Sequence, residues 1–582
     1  MRSFFKNVLA NIVAIFIICA SIFFFFIFIM MMSSMGEEKP SVKENSILTL
    51  DLKTQVIDSE TEDQESLFTL KNKVKNAMAY NIIEAIKKAK TDDKIKGISI
   101  ETDNINAGIT QLDDIRLALE DFKKSGKFVY AYGNSVSQPA YYLGSVADQY
   151  FLNPAGGIEL KGLSTEVVFL KDFMEKYGIG MQVIRHGKFK AAVEPYLRNE
   201  ISPENKEQLS TLLNDIWSNT SSKIAASRKI SAESFKTTVD SLYGIIPDLS
   251  LQHKLVDRLI QKTEYDAFLK KKLNLKNDDE INKISFNKYI NSFETSTKKE
   301  EIAVLYASGK IMNGEGYDNI YSEDYVKYIK ELQNDKKVKA VVLRINSPGG
   351  SANASDEILF ELQQLKKTKP LIVSFGDYAA SGGYYIAMAA DKIYSEPNTL
   401  TGSIGVFGTI PNAKELANKN GIRADVVATN ANSNMFSMLN GMSPHSVNII
   451  TRSVEQTYKR FVHFVTQNRK KTFEQIDQVG GGRIWSGTRA KEIGLVDELG
   501  SLHDAILFAA KKAGAKNYEV ASYPAKKDKL DEIISMFSSD EIEARWIKSK
   551  LGVDKYKLYQ QVLKENNKSE IMMESPYSVT LK

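Results

Sequence analysis

Residues 369 to 397 read KPLIVSFGDYAASGGYYIAMAADKIYSEP, and this stretch decides the fold of the second half of the chain. Leu371 to Phe375 is short, apolar and β-rich, which predicts a buried strand that ends at Gly376. Tyr384 to Ala390 is rich in small residues and favours a helix packed closely on a sheet. Ser381 then lies between a strand and a helix N-terminus, where free N–H groups and the helix dipole stabilise negative charge.

Ser381 has two possible roles at such a place. It can be a nucleophile, or it can cap the helix in front of two permissive glycines. A second stretch, VVLRINSPGGS from Val341 to Ser351, contains an apolar strand that runs into Gly349 and Gly350. Consecutive glycines after a strand can turn backbone amides outward, as an oxyanion hole requires, so the two stretches together favour the nucleophile.

The order strand, SPGGS, helix, strand, ASGG resembles the serine peptidase family of signal peptide peptidase A, which shares the Clp-protease and crotonase type of α/β fold. The resemblance covers nearly the whole chain from the apolar N-terminal run to about Pro524. It implies that Ser381 is the nucleophile. It also implies that Gly349, Gly350 and Gly382 supply the oxyanion hole.

The chain contains an internal duplication with a constant shift of 243 residues, which relates Gly133 to Gly376. Each half reads as one α/β unit in which strands alternate with helices, so we predict two mainly parallel sheets covered on both faces. The predicted strands are Ile47–Leu52, Ile95–Ile100, Phe128–Tyr132 and Ile284–Tyr289, and Ile302–Tyr306, Val338–Ile345, Leu371–Phe375 and Tyr518–Tyr523. Long helices are predicted over Pro203–Ser227 and Ser446–Arg469.

Four segments follow from this organisation. Residues 1–40 form a stub and a membrane anchor, 41–295 the first repeat, 296–525 the second repeat, and 526–582 a C-terminal extension. The Lys- and Asn-rich segment Lys270 to Glu300 joins the repeats. The charged and apolar alternation around Leu530 to Phe537 predicts an amphipathic helix in the extension.

The two halves differ at the positions that carry the chemistry. Ser381 corresponds to Gln138, and the SPGG loop corresponds to residues 104–107, so the first half lacks both the nucleophile and the glycine pair. The first half instead has Lys190 in the sequence KAAVEP, where the second half has Ser433. Long-form members of the resembled family carry a lysine general base in a KxAxEP-like context of the first half. The resemblance therefore implies a Ser381–Lys190 dyad, with Lys188 as the alternative base.

A lysine base must be neutral, so its pKa must fall well below about 10.4. We expect Ala191 to Val193 to provide the apolar surroundings, and Arg185 and Lys188 to add repulsion. Ser403 lies in the segment TGSIG. In the resembled family the serine of such a segment hydrogen-bonds the lysine, which implies that Ser403 orients Lys190, whereas by its neighbours alone it is equally a turn serine.

The N-terminal run Val8 to Met32 is almost wholly apolar and long enough to cross a bilayer. Arg2 and Lys6 precede it, so the positive-inside rule places the rest of the chain outside the cytoplasm. A cleaved signal peptide is the rival interpretation, but its apolar core is normally shorter. We expect a single-pass anchor in lipid, and the resemblance implies that it lies in the bacterial inner membrane with the catalytic part facing the periplasm.

Composition excludes several classes of function. The net charge is +5 over 582 residues with both signs interspersed, so no nucleic-acid surface is indicated. The only cysteine, Cys19, lies in the apolar run, and the five histidines show neither a metal-ligand motif nor a Ser-His-Asp setting. Because the sequence also lacks a GxxxxGK[ST] loop, we expect no metal, no cofactor and no ATP requirement.

The resemblance implies a membrane-anchored, ATP-independent serine endopeptidase that degrades remnant signal peptides and assembles as a homotetramer. Two alternatives stay open from the sequence. One is a crotonase-type enzyme, which uses similar oxyanion amides on acyl-CoA without a Ser–Lys dyad. The other is an inactive membrane scaffold.

Overall fold

The computed structural model describes residues 40–53, 55–59, 76–293, 299–316, 319–524 and 572–574, with short pieces between residues 6 and 25. In the first half, strands alternate with helices that bury one apolar face. In the helix Ala79–Thr91 the buried face includes Ile82, Ile86 and Ala89. The strands are β1 (Ser46–Leu50), β2 (Val56–Ile57), β3 (Ala77–Met78), β4 (Ile95–Ile100), β5 (Phe128–Val136), β6 (Gln149–Ile158), β7 (Gly180–Arg185), β8 (Arg258–Leu259) and β9 (Lys283–Ser285). The helices are α1 (Ala79–Thr91), α2 (Ile109–Lys123), α3 (Gln138–Gly144), α4 (Lys171–Tyr177), α5 (Glu194–Leu197), α6 (Pro203–Arg228), α7 (Ala232–Asp240), α8 (Pro247–Gln252), α9 (Lys262–Lys272) and α10 (Phe286–Ile290).

The second half repeats this plan and adds short strands around the catalytic stretch. Its strands are β10 (Glu300–Ser308), β11 (Ile311–Met312), β12 (Ile320–Tyr321), β13 (Val338–Ser347), β14 (Gly349–Ser351), β15 (Leu371–Ala380), β16 (Lys392–Ser395), β17 (Leu400–Gly402), β18 (Phe407–Asn412), β19 (Ile484–Ser486), β20 (Glu498–Leu499), β21 (Tyr518–Tyr523) and β22 (Met572–Glu574). Its helices are α11 (Ser322–Asn334), α12 (Ala352–Lys366), α13 (Gly382–Ile386), α14 (Lys414–Lys419), α15 (Pro444–Arg469), α16 (Phe473–Val479), α17 (Gly487–Glu492) and α18 (Leu502–Ala513).

Each half has its own mainly parallel sheet. The first has the order β8-β6-β5-β4-β1-β9, and all its neighbours are parallel. The second has the order β19-β17-β15-β13-β10-β21, with β16 and β20 branching from β15, and only the β17–β19 pair is antiparallel. The predicted α/β architecture is therefore confirmed. Central strands such as β10 are buried almost throughout, as expected when helices cover both faces.

A third sheet combines strands of both halves in the order β12-β11-β14-β22-β18-β7. In it, β7 of the first half runs antiparallel to β18 of the second, with Arg185 opposite Phe407 and Gly180 opposite Asn412. This pairing places the segment that follows β7, which includes Lys190, at the edge of the second half.

A buried polar joint also connects the halves. We define it as Asp58, Asp113 and Asp114 of the first half with Arg344, Asp377 and Glu396 of the second. Arg344 Nε lies 3.7 Å from Asp58 Oδ2, and Asp377 Oδ1 accepts from the amide and hydroxyl of Thr110 at 2.9 and 3.0 Å. Four of these carboxyl groups, those of Asp58, Asp114, Asp377 and Glu396, interact with the charge of Arg344. The fifth, Asp113, pairs with the Lys223 ammonium at 2.7 Å.

Several predicted elements differ from the structure in their bounds or type, and two of these differences have a clear physical cause. The strand expected to end at Gly376 continues as β15 to Ala380, because its last three residues pair with β17 after the ladder with β13 shifts register. The segment Ile284–Tyr289 is wrong as a strand: after Ser285 the chain turns into α10, and the Ser285 hydroxyl caps that helix by accepting from the Lys288 amide.

Some predictions fall on parts of the chain that the structure does not describe. The helix expected around Leu530 to Phe537 lies wholly outside the described residues, as do several residues of the apolar run Val8 to Met32. Among the described residues, no helix combines the length and the apolar character that a membrane span requires.

Candidate active site

Ser381 lies at the joint between β15 and α13 and is fully buried. Its backbone φ is 55°, a value that side chains other than glycine rarely adopt, so the turn holds the residue in a strained conformation. Two backbone hydrogen bonds fix this turn: the Ser381 amide donates to Gly402 O at 2.8 Å, and Ser381 O accepts from the Tyr385 amide at 2.8 Å. The hydroxyl is therefore presented from a rigid strand–helix junction.

Lys190 comes from the other half of the chain and meets this hydroxyl. Its Nζ donates to Ser381 Oγ at 2.8 Å, and the side chain is fully buried. The two residues are 191 positions apart in sequence. Lys188, the alternative base, is exposed, with its Nζ lying over the Phe189 ring.

Ser403 completes the set of acceptors around the amine. Lys190 Nζ donates to Ser403 Oγ at 3.0 Å and to Ser403 O at 3.2 Å. The Ser403 amide in turn donates to Arg483 O at 2.7 Å, which anchors the residue to the loop before β19. Three oxygens thus surround Nζ, and two of them belong to one residue.

Burial lowers the pKa of Lys190 to about 7, and the Glu574 carboxylate opposes this shift. Ala191 and Val193, predicted to provide apolar surroundings, are buried, and the second half also packs against the Lys190 side chain. A side-chain carbon added at Gly405 would lie 3.3 Å from Lys190 Cδ, and one at Gly482 would lie 2.6 Å from Lys190 Cβ. The repulsion expected from Arg185 and Lys188 is not among the causes of this shift. The Arg185 guanidinium instead donates to Lys190 O.

The SPGG loop lies against the turn that carries Ser381. Gly349 has φ 103°, and a side-chain carbon there would lie 2.7 Å from the Gly382 amide nitrogen. The Gly349 amide already donates to Ser347 Oγ at 3.1 Å, so its predicted role as an oxyanion donor requires correction. Gly350 follows in β14, and Gly382 opens α13, where the first amides have no acceptor within the helix. Gly350 and Gly382 remain the two candidate donors.

Several residues that hold the lysine segment were not identified from the sequence. Gln208 of α6 bridges the halves: its amide nitrogen donates to Phe189 O at 3.1 Å, and its amide oxygen accepts from the Ile484 amide at 3.3 Å. Glu194 is buried and accepts from Ser202 Oγ and from Asn205 Nδ2. The only sequence signal for Glu194 is its place in the KAAVEP segment, and Gln208 has none, since its partners are distant in sequence.

The positions related to Ser381 and Lys190 by the 243-residue shift form no second site. The Gln138 side chain is buried, and its oxygen accepts from the amides of Lys161 and Gly162 at 3.0 and 2.9 Å. Ser433, the counterpart of Lys190, is exposed in a turn and donates to Asn430 O. Across the described residues, the chain therefore presents one complete Ser–Lys arrangement.

Comparison with known proteins agrees with this geometry. The sequence model for peptidase family S49 matches residues 121–276 and 363–516, and that for Clp protease matches residues 294–401. Protease 4 of Salmonella typhi is 36% identical over 466 residues, which cover 78% of this chain and 75% of that protein. Protease 4 of Haemophilus influenzae is 33% identical over 495 residues, with 81% and 80% covered.

A plant relative extends the same pattern. The protein named serine protease SPPA, chloroplastic, of Arabidopsis thaliana is 30% identical over 515 residues, which cover 86% of this chain and 74% of that protein. The peptidase family match falls once in each half, on either side of the join between the two sheets. The chain is therefore a serine peptidase that belongs to peptidase family S49 and carries two repeats of the family's domain.

Proposed function

We propose that this protein is an ATP-independent endopeptidase in which Ser381 is the nucleophile and Lys190 the general base, and that it degrades signal peptides. The observation that carries the proposal is the buried 2.8 Å hydrogen bond from Lys190 Nζ to Ser381 Oγ. A lysine with a pKa of about 7 is substantially neutral at physiological pH, as a base must be.

The chemistry follows from these positions. Ser381 Oγ attacks the scissile carbonyl while Lys190 Nζ takes the hydroxyl proton, and the amides of Gly350 and Gly382 stabilise the oxyanion. Lys190 then gives the proton to the leaving amine. Water, deprotonated by Lys190, hydrolyses the acyl-enzyme and frees Ser381. Ser403 keeps the amine aimed at Ser381 throughout by its two oxygen atoms.

The groove beside Ser381 supports an apolar peptide substrate. Phe407 and Ile311 flank it, on β18 and β11, and both are buried. β14 pairs with β11 on one edge and with β22 on the other. An apolar extended peptide that takes the place of β22 gains main-chain hydrogen bonds from β14 and apolar contacts from these side chains. The core of a signal peptide has this character, and two matched relatives bear the name protease 4.

A fluorophosphonate probe tests the nucleophile, and an apolar signal-peptide substrate tests the activity. We expect labelling and cleavage in the wild type and neither in Ser381→Ala. The matched control is Ser433→Ala, an exposed serine at the position corresponding to Lys190. Labelling that survives in Ser381→Ala would refute the assignment, and absence of labelling in folded wild-type protein would favour a crotonase-type enzyme or an inactive scaffold.

The proposal places the catalytic part in the periplasm, anchored in the bacterial inner membrane by Val8 to Met32. Its support is the uncharged run from 7 to 36, with Arg2 and Lys6 before it. A reporter fused after Lys582 should be active only if exported. Activity of a reporter that works only in the cytoplasm would reverse this orientation.

The proposal also includes a homotetramer, assembled head to tail. The internal β7–β18 pair has counterparts at the 243-residue shift, namely residues 423–428 and 164–169. Within the described chain neither counterpart forms a strand, and Val168 and Val427 are exposed. Pairing of one copy's residues 164–169 with the next copy's 423–428 would repeat the internal contact. Light scattering should give four chains for the wild type and fewer for Val427→Asp.

A further inference from the structure

The segment that carries Lys190 packs against a loop of the second half, residues 480–483, which precedes β19. A side-chain carbon added at Gly482 would lie 2.6 Å from the Lys190 amide nitrogen, so the two main chains are in close contact. The same loop holds Ser403, whose amide donates to Arg483 O at 2.7 Å. The loop therefore contacts both the base and the residue that orients it.

One side chain of α6 connects the lysine segment to this loop. Gln208 donates from its amide nitrogen to Phe189 O at 3.1 Å and accepts at its amide oxygen from the Ile484 amide at 3.3 Å. We call these two hydrogen bonds the Gln208 bridge. Phe189 directly precedes Lys190, and Ile484 directly follows the loop. The Gln208 side chain is buried and bonded on both sides, so it fixes the spacing of the two main chains.

The far end of the lysine segment is tied to the same helix. The buried Glu194 carboxylate accepts from Asn205 Nδ2 at 3.0 Å, and Gln208 Nε2 donates to Asn205 Oδ1 at 3.1 Å. A continuous chain of hydrogen bonds thus runs along α6 and reaches the main chain or side chains on either side of Lys190. The segment is held before and after the base.

The second half has no such side chain at the matching position. Helix α15 is the counterpart of α6, since both are 26 residues long and both open with a proline after a capping serine. When the helices are aligned on these prolines, Gln208 corresponds to Ile449, which is exposed. A buried polar residue at this position therefore accompanies the half that supplies the base, which indicates a role tied to Lys190 rather than to helix packing.

We propose that Gln208 is a positioning residue, which aims Lys190 Nζ at Ser381 Oγ by holding the lysine segment against the loop before β19. This rests on the proposed function in taking Lys190 as the base. Lys190 and Ser381 belong to different halves, so a small displacement of one main chain lengthens the 2.8 Å hydrogen bond between their side chains. The same displacement admits water to the amine.

The rate of labelling by a fluorophosphonate probe over a series of pH values tests this role. Gln208→Met keeps a straight side chain of similar size and removes both hydrogen bonds. We expect labelling to be about tenfold slower at neutral pH, and its rise to move to higher pH by about one unit, because water at the amine favours the ammonium form. Gln208→Asn is one methylene shorter and keeps its amide, so it should give a smaller displacement in the same direction. It carries the comparison if Gln208→Met does not fold.

Thr220→Val is the matched control. Thr220 is buried on the same helix, and its hydroxyl donates within the helix, to Ile216 O at 2.8 Å. This variant should label like the wild type at every pH. An unmoved rise in Gln208→Met would overturn the assignment, and so would an equal displacement in Thr220→Val, since the effect would then belong to α6 as a whole. Labelling requires no peptide, so a wild type that labels but cleaves no signal peptide refutes the proposed substrate and leaves this test in force.

Hydrogen exchange measures the Gln208 bridge without any reagent. In the wild type the Ile484 amide should exchange slowly, because it donates to the Gln208 side chain. Gln208→Met should accelerate this exchange at least about tenfold and leave the amides of β4 unchanged. Equal exchange of the Ile484 amide in both proteins would overturn the assignment, whatever the activity of the enzyme.

Discussion

The hydrogen bond between Lys190 and Ser381 depends on a lysine that burial keeps close to neutrality. The pKa of Lys190 is lowered to about 7, so the amine is protonated below this pH and free to accept a proton above it. The charge state of one side chain thus sets the pH range in which the serine is activated.

The first prediction concerns this base. We expect kcat/KM to rise with pH through about 7 and then to level off, since the neutral amine is the reactive form. Lys190→Arg should lose at least about 10³-fold in kcat, because the guanidinium stays protonated. The matched control Lys188→Arg changes an exposed neighbour and should keep wild-type rates. An active Lys190→Arg protein would refute the assignment.

The second prediction separates orientation from proton transfer. Ser403→Ala removes one acceptor of Lys190 Nζ, at 3.0 Å, and leaves the Ser403 carbonyl at 3.2 Å. We expect kcat to fall about 10- to 100-fold, with the acid limb of the pH profile moved to lower pH because the ammonium form has lost a hydrogen bond. A pH profile that does not move would mean that Ser403 acts only through packing.

At the scale of elements, the SPGG loop is held open by backbone conformation. Gly349 takes φ 103°, and its amide is tied to Ser347 Oγ, which leaves Gly350 and Gly382 as the candidate oxyanion donors. The closeness of Gly349 to the Gly382 amide leaves no room for a side chain.

The third prediction follows from this closeness. Gly349→Ala should lower kcat/KM by about 10²–10³, the cost of losing an oxyanion donor, because the added carbon displaces the loop from Gly382. Gly314→Ala is the matched control, since it also has positive φ, of 84°, but has nothing within 4 Å of the added carbon. Gly314→Ala should lose about 1 kcal/mol of folding free energy and keep its activity. Gly349→Ala should lose more stability, because its added carbon also meets backbone atoms, and should lose activity as well. Comparable activities would contradict the role of the loop.

Sequence patterns predicted the elements whose signal is local. The strands Ile95–Ile100 and Tyr518–Tyr523 have the expected bounds, because apolar runs between polar turns determine them. The extension of β15 to Ala380 was missed because it depends on pairing with β17, more than twenty residues away. The short strand β22 was missed for the same reason: three residues carry no periodicity, and only their distant partners make them a strand.

The site was predictable to a similar degree. Ser381, Lys190 and Ser403 were identified from a resemblance and from the reciprocal loss between the repeats, and the structure places their side chains together. What surrounds Lys190 was not predictable. Lys190 contacts residues that are distant in sequence, namely Gly405, Gly482 and Phe407. The neighbours of Lys190 in the sequence, such as Ala191, do not predict these contacts.

At the scale of the whole molecule, the buried polar joint lies between the two halves, and its carboxyl groups outnumber its single arginine. Burial raises the pKa of Asp377 to about 6, with the Asp58 charge adding to the effect and Arg344 opposing it. The pKa of Asp114 is raised in the same direction, again by burial first, and it interacts with the Glu396 carboxyl. The joint is therefore most favourable when these groups are protonated.

The fourth prediction tests the joint by pH. A carboxyl with a raised pKa contributes stability that is fully present below about 3.9 and is lost as pH rises through about 6. Asp377→Asn lacks this titration, so its stability relative to wild type should increase between pH 4 and pH 7, by at most about 3 kcal/mol. Urea unfolding at the two pH values measures it, with the exposed Asp278→Asn as control. An unchanged difference would show that Asp377 does not titrate in this range.

Ser381 and Lys190 lie 191 positions apart in the sequence, which matters while the protein is being synthesised. A ribosome makes the lysine long before the serine, and the oxygens that aim the amine come later still, from Ser403. A chain that is half made has a base with nothing to activate, and a chain whose second half has folded alone has a hydroxyl with nothing to take its proton. The peptidase site thus forms only once the second half has been made and has folded onto the first, so the unfinished chain cannot cleave itself or its neighbours.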